Sequence, residues 1–236
     1  MIKKIKLERR YVEVKLEHYT PLNICSKAIR TCWDSHKHSD TTKDIECGEK
    51  DKELVDRIGN KLKHESVKNH ITYNFTIKGI STKTLLALTR HDVGVEFSVQ
   101  STRYTTKKVV KSGDCSYTLT KNETINNYLA DILEMIKDCV NKNFDNDDIS
   151  MLLPQAWHYN LFCSMSLQAV QHLGKLRLKS DAHWDIRKFT ELLFLALPDE
   201  HKYLFEDVVV GVSENENFKE EFLSKITRKD ITNETH

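Results

Sequence analysis

The segment that most constrains the fold is a run of strict alternation, "HITYNFTIKGIS", at residues 70–81. Its apolar members Ile71, Tyr73, Phe75 and Ile77 are separated by threonine or asparagine. This two-residue period is typical of a strand that buries one face and exposes the other. The segment is therefore predicted to be a strand with these apolar side chains in the core.

A second alternating segment, "YVEVKLEHYTP", predicts another strand near the start of the chain. It ends at Thr20 and Pro21, which suit the N-cap and the first position of a helix. Residues 22–33 are therefore predicted to be helical. Ser81 can likewise cap a short helix in "TKTLLALTR".

The other elements follow from the spacing of apolar residues. Two polar segments, residues 36–50 and the lysine-bearing segment after Tyr104, are predicted to be loops. Helical spacing predicts helices over residues 49–63, 125–143, 155–176 and 180–197. The first of these is expected to bury Leu54, Ile58 and Leu62. Strands in the first half and helices in the second indicate an α+β domain.

Length and hydropathy favour one domain without a membrane segment. The chain has 236 residues, and we predict a single domain over residues 1–210 followed by a polar tail over 211–236 that frays. The longest apolar run, "LLFLAL" at 192–197, is too short to span a bilayer. We therefore expect a soluble, intracellular protein of the cytoplasm.

Charge and cysteine content narrow the classes of function. Lys and Arg number 36 against 35 Asp and Glu, which leaves a formal net charge of +1 at pH 7. No general field attracts nucleic acid or a membrane surface, so an anion site has to be local. The 6 cysteines occur without CxxC pairs, which indicates free thiols in a chain that lacks a signal-peptide pattern.

The best candidate for a local anion site lies in "LTRHDVGVEFSVQSTRY". Arg90 and Arg103 carry guanidinium groups that can bind a phosphate bidentately. The hydroxyls of Ser101, Thr102 and Tyr104 can bind the remaining phosphate oxygens. An alternative that the sequence leaves open is that these residues are the solvated ends of a strand.

Three other residues have structural as well as functional explanations. His64 and His70 lie around a predicted helix-to-strand turn, with Ser66 as a possible cap, and lone histidines of this kind are more often structural than catalytic. Arg177 lies at the end of a predicted helix, where a cation can bind terminal carbonyls and interact with the helix dipole.

A metal site is not predicted. Cys25, Cys32, His36 and His38 are close in sequence, but their spacing matches no usual zinc pattern. Cys25 and Cys32 lie seven residues apart on one face of a predicted helix, so both are expected to be buried thiols.

The stretch "RHDVGVEFSVQSTRY" resembles the signature of the flavin-dependent thymidylate synthases, the ThyX family, which is written RHRxxSxNxxSxRY. Other segments resemble the same family in order: "ICSKAIRTCWDS", "GEKDKELVDRIGNKLKHES", "HITYNFTIKGIS", "LLP" at 152–154, Arg177 at 23 residues after Pro154, and "AHWDIRKFTELLFLALPDEHKYLFE". The resemblance covers residues 12–206. Several motifs in register are more specific than the signature alone.

The resemblance implies a ThyX-like α+β fold, an antiparallel sheet flanked by long helices, in a homotetramer whose active sites are shared between subunits. It implies a methyltransferase that makes dTMP from dUMP, with methylenetetrahydrofolate as carbon donor and NADPH-reduced FAD as hydride source. In that family no cysteine attacks the pyrimidine, which agrees with the lack of a nucleophile context around the cysteines here. Nucleic acid and membranes are not implied partners.

The resemblance also implies roles for individual residues. Arg177 matches the arginine beside the uracil, whose cation stabilises the anion formed as the ring is activated, so it is the predicted catalytic residue. The predicted cofactor-binding residues are His64, Ser66, Arg90, His91, Ser166, Gln168 and His172. The predicted substrate-binding residues are Arg90, Gln100, Ser101, Thr102, Arg103 and Arg177, with Ser101, Thr102 and Arg103 at the phosphate of dUMP.

The chain departs from the family's pattern near the signature. Asp92 replaces the second arginine, and one additional residue lies between His91 and Phe97. An extra residue in a strand turns all later side chains to the other face, so it is expected to be absorbed in a left-handed bulge at Gly94. Elsewhere, Ser166 and Gln168 replace the family's Asn-x-Arg, Ser150 replaces a basic residue, and Ala87 replaces a glutamine.

Two other functions stay open from the sequence. One is a nucleotide-binding homologue that retains the dUMP site but has lost flavin chemistry, since the lost charges include those of the cofactor site. The other is nucleic-acid binding by Lys107, Lys108 and Lys111, which the near-zero net charge does not favour.

Overall fold

A computed structural model describes residues 12–42 and 46–226. The strands are β1 Glu13–Tyr19, β2 Thr72–Ser81, β3 Val95–Val99 and β4 His158–Ser166. In the described residues they form a four-stranded sheet in the order β1-β2-β4-β3. Within these same ranges, no helix is long and apolar enough to cross a membrane.

Neighbouring strands of the sheet run antiparallel. The backbone N–H of Ser166 donates to Gly94 O over 2.8 Å, and the N–H of Gln100 donates to Asn160 O over 2.9 Å. Residue numbers therefore fall along β4 as they rise along β3. The antiparallel sheet that the family resemblance implies is confirmed.

The described residues contain eleven α-helices, two 3-10 helices and one π-helix. The α-helices are α1 Leu22–Cys32, α2 Glu49–Val55, α3 Glu65–Lys68, α4 Thr82–Leu88, α5 Thr102–Ser112, α6 Glu123–Asn141, α7 Asn146–Ser150, α8 Leu167–Arg177, α9 Trp184–Leu195, α10 Glu206–Val212 and α11 Glu216–Ser224. The 3-10 helices are His36–His38 and Asp199–Phe205, and the π-helix is Asp56–Lys61. The predicted α+β class is confirmed.

The alternation in β2 corresponds directly to burial. Tyr73, Phe75 and Ile77 are fully buried, each with 0% of its surface exposed. Where the strand ends, the hydroxyl of Ser81 accepts the backbone N–H of Thr84 over 3.0 Å and caps α4. Strand and helix therefore follow each other as the sequence predicts.

The prediction of one helix over residues 155–176 is wrong for its first half, which forms β4. Leu161, Cys163 and Met165 are buried at every second position, as in a strand. Leu161 and Met165 also fit helical spacing, so the local pattern allows either structure. Pairing with β2 on one side and β3 on the other satisfies the backbone of β4 and favours the strand.

The predicted loop after Tyr104 is also wrong, because this segment belongs to α5. The helix buries only Thr106 and Val110, which lie four residues apart, so its polar remainder obscures the helical period. It ends at Gly113, whose φ of 80° is the left-handed conformation that glycine commonly adopts after a helix.

The predicted helix over residues 49–63 is interrupted by the π-helix. There the backbone N–H of Leu62 donates to Arg57 O over 2.9 Å, which is five residues back instead of four. The wider turn rotates the residues that follow it. Ile58 is buried as predicted, whereas Leu62 is 59% exposed, so its predicted burial is wrong.

The chain divides into two compact units, and the first is built around an apolar core. This unit consists of the described part of residues 1–15 together with Thr76–Asp92 and Phe97–Cys163. Its core side chains are Val110, Cys115, Tyr117, Leu133, Ile136, Val140, Ile149 and Trp157. The rings of Tyr117 and Trp157 meet edge to face, with their centroids 5.6 Å apart.

The second unit has a core rich in aromatic residues. It consists of Leu16–Phe75, Val93–Glu96 and the described residues from Ser164 onward. The ring of Phe194 lies 5.5 Å from that of Phe205 and 6.1 Å from that of Phe222, measured between centroids. Phe222 lies on α11, in the predicted polar tail, and is 0% exposed, so α11 packs instead of fraying. The domain boundary at residue 210 stays a prediction.

A histidine is buried in the second unit next to a tyrosine of β2. His201 is 0% exposed, and its Nδ1 lies 2.8 Å from the hydroxyl of Tyr73. Its Nε2 has no hydrogen-bond partner among the described residues. Burial lowers the pKa of His201 to about 4, against a smaller opposite effect of Glu200. The imidazole is therefore neutral at pH 7.

We expect acid to destabilise the fold through His201. As the pH falls below 6.5 the imidazole gains a proton in the unfolded chain, whereas in the folded chain it stays neutral until the pH approaches about 4. The stabilisation that His201 provides is therefore fully present above pH 6.5 and is lost as the pH falls from 6.5 towards about 4. We expect a loss of about 2 kcal/mol between pH 7 and pH 5. Urea unfolding at both pH values checks the loss. The His201→Gln variant has no titrating group at this position, so its loss of stability between pH 7 and pH 5 should be smaller by about 2 kcal/mol. An equal loss of stability in the variant and the wild type would contradict an origin in His201.

Candidate active site

The predicted site residues occur in both units, where they cluster at helices. The first unit holds Arg90, His91, Gln100, Ser101, Thr102 and Arg103, which lie after α4 and at the start of α5. The second unit holds His64, Ser66, Ser166, Gln168, His172 and Arg177, which lie at α3 and α8.

In the first unit, Ser101 begins α5. Its backbone is extended, with φ −83° and ψ 121°, and its carbonyl accepts the N–H of Thr105 over 3.1 Å. The N–H of Tyr104 also donates to Ser101 O, over 3.3 Å, whereas the N–H groups before it have no acceptor inside the helix. The helix dipole makes this end positive. With the hydroxyls of Ser101 and Thr102 and the guanidinium of Arg103, the start of α5 is suited to bind a phosphate.

Gln100 holds the start of α5 against the sheet. Its Nε2 donates to Thr105 Oγ1 over 3.1 Å, and its Oε1 accepts the backbone N–H of Asn160 over 3.1 Å. Both ends of the side-chain amide are thus engaged within the first unit. The residue predicted to contact the substrate therefore has a role in orienting the helix that follows it.

Arg103 has a carboxylate partner that sequence reasoning missed. Its Nε lies 3.0 Å from Oδ1 of Asp147, and the neighbouring Asn146 donates from Nδ2 to Arg103 O over 2.8 Å. The side chains of this ion pair are 66% and 57% exposed, so the pair contributes little to stability and can give way to a stronger anion. No sequence signal identifies Asp147, because 44 residues separate the partners.

Arg90 and His91 directly follow α4. Arg90 is exposed, whereas His91 is only 6% exposed and donates its backbone N–H to Leu88 O over 2.9 Å. Asp92, at the position of the family's second arginine, is exposed. Its carboxylate is therefore hydrated, and the exposed guanidinium of Arg90 can reach an anionic ligand from solution.

In the second unit, α3 and α8 present polar side chains at the surface. His64 is the N-cap residue of α3, and both His64 and Ser66 are exposed. On α8, Gln168 and His172 lie four residues apart and share a face, with Gln168 half-buried and His172 exposed. These amide, imidazole and hydroxyl groups can form hydrogen bonds with the edge of a planar heteroaromatic ring.

Ser166 lies where β4 ends and α8 begins, and it packs closely against Gly94. Its hydroxyl accepts the N–H of Ala169 over 3.1 Å and so caps α8. Gly94 has a φ of +71°, and a Cβ added there would lie 2.5 Å from Ser166 Oγ. The left-handed glycine is confirmed, but it occupies a turn before β3, not a bulge within the strand. The extra residue of the signature is absorbed in that turn.

Arg177 is the last residue of α8 and is half-buried. Together with Lys175 it makes the last turn of the helix basic, which suits the negative end of the helix dipole. Partial burial reduces screening by water. A guanidinium in this position therefore attracts an anion more strongly than an exposed one does.

The four buried cysteines are unsuited to nucleophilic attack. Burial raises the pKa of Cys25 and Cys163 to about 12 and that of Cys47 and Cys115 to about 11. Such thiols are protonated at neutral pH, whereas the thiolate is the reactive form. Cys25 is buried as predicted, but Cys32 is exposed, contrary to the prediction. Among the residues that the structure describes, no three His, Cys, Asp or Glu side chains are grouped to hold a metal ion.

Comparison with known proteins finds relatives over most of the chain. The family model described as "Thymidylate synthase complementing protein" matches residues 15–200. A flavin-dependent thymidylate synthase of Campylobacter jejuni is 38% identical over 205 residues, which covers 83% of this chain and 96% of the relative. One from Wolinella succinogenes is 39% identical over 202 residues, which covers 81% of this chain and 96% of the relative.

Solved structures share the fold. Thymidylate Synthase X from Helicobacter pylori, crystallised with FAD and dUMP, superposes with a TM-score of 0.76 and is 35% identical. The match covers 84% of this chain and 99% of the Helicobacter pylori chain. PolB, a UMP/dUMP methylase from Streptomyces cacaoi, has a TM-score of 0.65 at 15% identity and covers 86% of this chain and 97% of its own. At that identity the second comparison shows similarity of fold alone.

Proposed function

This chain belongs to the flavin-dependent thymidylate synthase family, and from that premise we propose how its own residues divide the work of methylating dUMP. The chain is an FAD-dependent enzyme that converts dUMP to dTMP. We assign the phosphate of dUMP to the start of α5, contacts with FAD to α3 and α8, and the uracil to Arg177. Arg90 is assigned contacts with FAD and with dUMP, and His91 is assigned a contact with FAD.

The start of α5 is the observation that supports the proposal most strongly. Backbone N–H groups, two hydroxyls and Arg103 lie together at the positive end of this helix, and groups of this kind bind a phosphate monoester. Among the described residues, Asp147 engages only the Nε edge of Arg103. The two terminal nitrogens of the guanidinium can then bind the phosphate bidentately.

The side chains of α3 and α8 fit FAD. His64, Ser66, Gln168 and His172 provide donors and acceptors at the surface, and none of them is a carboxylate. Gln168 and His172 can form hydrogen bonds with the edge of the isoalloxazine because they share one face of α8. When bound, FAD supplies the hydride for the new methyl group.

Arg177 is assigned the electrostatic part of the reaction. Its half-buried guanidinium stabilises the negative charge that develops on the uracil ring as the ring is activated. Because the cation is fixed at the end of a helix, little reorganisation accompanies this stabilisation. The four buried cysteines are protonated and provide no thiolate for an attack on the ring.

We further propose that methylenetetrahydrofolate donates the carbon and that NADPH reduces the FAD. The homotetramer implied by the family would work in the cytoplasm, where free nucleotides and NADPH are found. The residues around one ligand then come from more than one subunit.

The purified protein provides a direct test of this function. It should take up FAD, bind dUMP, and release tritium from dUMP labelled at the ring position that gains the methyl group, provided that NADPH and methylenetetrahydrofolate are present. A protein that takes up no FAD and releases no tritium would contradict the proposal. Binding of dUMP without any uptake of FAD would instead select the nucleotide-binding homologue.

A further inference from the structure

A buried lysine in the second unit joins the two helices that carry the proposed FAD contacts. Lys68, the last residue of α3, is 3% exposed, and its ammonium donates to Gln171 Oε1 on α8 over 2.8 Å. The same ammonium pairs with Glu65, one turn earlier on α3, at 2.7 Å. The two helices are therefore held together by a charge-assisted hydrogen bond that is shielded from water.

The network continues from Gln171 into the π-helix. The Nε2 of Gln171 donates to Asn60 Oδ1 over 2.9 Å and to Leu204 O over 2.8 Å. Asn60 Nδ2 donates to the same carbonyl over 3.1 Å. Both the oxygen and the nitrogen of the Gln171 amide thus form hydrogen bonds.

Both helices depend on this network for the placement of their exposed side chains. Helix α3 has four residues, which is far too short to be stable without tertiary contacts. Ser66 is two residues from Lys68, and His172 directly follows Gln171. The buried bond therefore fixes the backbone from which both of these ligand-facing side chains project.

We propose that Lys68 and Gln171 are positioning residues for the flavin cofactor. Through their hydrogen bond they set the distance between Ser66 and the face of α8 that carries Gln168 and His172. The proposal rests on the proposed function, because it takes FAD as the ligand of those side chains. Neither positioning residue touches the cofactor, and both act through the helices that they join.

Two substitutions test this role. Lys68→Met removes the ammonium but keeps most of the side-chain volume, and Gln171→Met removes the amide that accepts from this ammonium and donates to Asn60 and Leu204. We expect each variant to bind FAD on the order of tenfold more weakly, since small displacements in a site have effects of this size. The visible absorption band of the flavin bound at saturation should also shift. Fluorescence titration measures the affinity, and circular dichroism measures the fold.

Lys137→Met is the matched control. Lys137 is also buried, at 8% exposure, and also pairs with a glutamate three residues earlier, Glu134, but it lies on α6, which carries no predicted site residue. This variant should lose stability as Lys68→Met does, yet keep the FAD affinity and flavin spectrum of the wild type.

The possible results are distinguishable. Wild-type FAD affinity and spectrum in Lys68→Met and Gln171→Met would contradict the positioning role, as would equal weakening in Lys137→Met. A wild-type protein that takes up no FAD would contradict the proposed function together with this inference. If Lys68→Met does not fold, Gln171→Met decides alone, because it removes the acceptor and leaves Lys68 paired with Glu65.

Discussion

Arg177→Ala is expected to lower kcat by roughly 10³-fold, the effect of removing a group that stabilises charge in the transition state. The half-buried guanidinium at the end of α8 is proposed to act on charge that appears only as the uracil is activated. Its loss should therefore lower kcat much more than it raises KM for dUMP. Tritium release from labelled dUMP gives both constants. Flavin absorbance should show that FAD stays bound.

Lys175→Ala separates catalysis from the helix dipole. Lys175 is exposed and belongs to the same basic last turn of α8 as Arg177. Its cation contributes about 0.3–1 kcal/mol to helix stability and should have no measurable effect on kcat. Activity retained in Arg177→Ala would remove Arg177 from its proposed role. Loss of FAD from that variant would also contradict the assignment and place the arginine at the cofactor.

Gly94→Val is expected to reduce the free energy of unfolding by about 3 kcal/mol or more, because two costs combine. The φ of +71° is unfavourable for any residue with a Cβ, and worse for a β-branched one. The new Cβ would also lie 2.5 Å from Ser166 Oγ, where the hydroxyl caps α8. Urea unfolding of the purified variant measures the loss.

Two other substitutions separate these costs. Val93→Ile adds one methylene to a side chain that is 74% exposed, so it should change stability by less than about 0.5 kcal/mol. Gly113→Val has the same unfavourable conformation, with φ +80°, but no atom lies within 4 Å of its Cβ, so it should cost only the backbone strain of about 1–2 kcal/mol. Equal stability of Gly94→Val and Val93→Ile would show that the turn does not require glycine.

The sequence correctly predicts the elements whose determining residues lie close together along the chain. In β2 the alternation of buried residues and the cap at Ser81 lie within a few residues of each other, and both are confirmed. In β4, Leu161 and Met165 satisfy both helical and strand periods, and pairing with strands far away in sequence decides between them. The single wide turn of the π-helix has no pattern of its own, so the exposure of Leu62 could not be predicted.

The candidate site shows the same division. The signature and the hydroxyl cluster predict Ser101 and Arg103 as phosphate ligands, because the residues of this predicted site are continuous in sequence. The partner of Arg103 and the buried state of Lys68 are set by contacts over 44 and 103 residues. In "HESVKNH", the polar neighbours of Lys68 would predict that its side chain is exposed to solvent. Only the folded chain shows that the ammonium of Lys68 donates a hydrogen bond to Gln171.

The protonation of the buried cysteines has a consequence for how the protein withstands oxidants. Flavins that meet oxygen release hydrogen peroxide, and peroxide attacks the thiolate far faster than the thiol. Cys25 and Cys163 are buried and have pKa values of about 12, so they present almost no thiolate, whereas Cys32 at the end of α1 is exposed. Oxidation is thus directed to Cys32 at the surface, and the buried thiols can stay reduced in a protein whose cofactor produces oxidant.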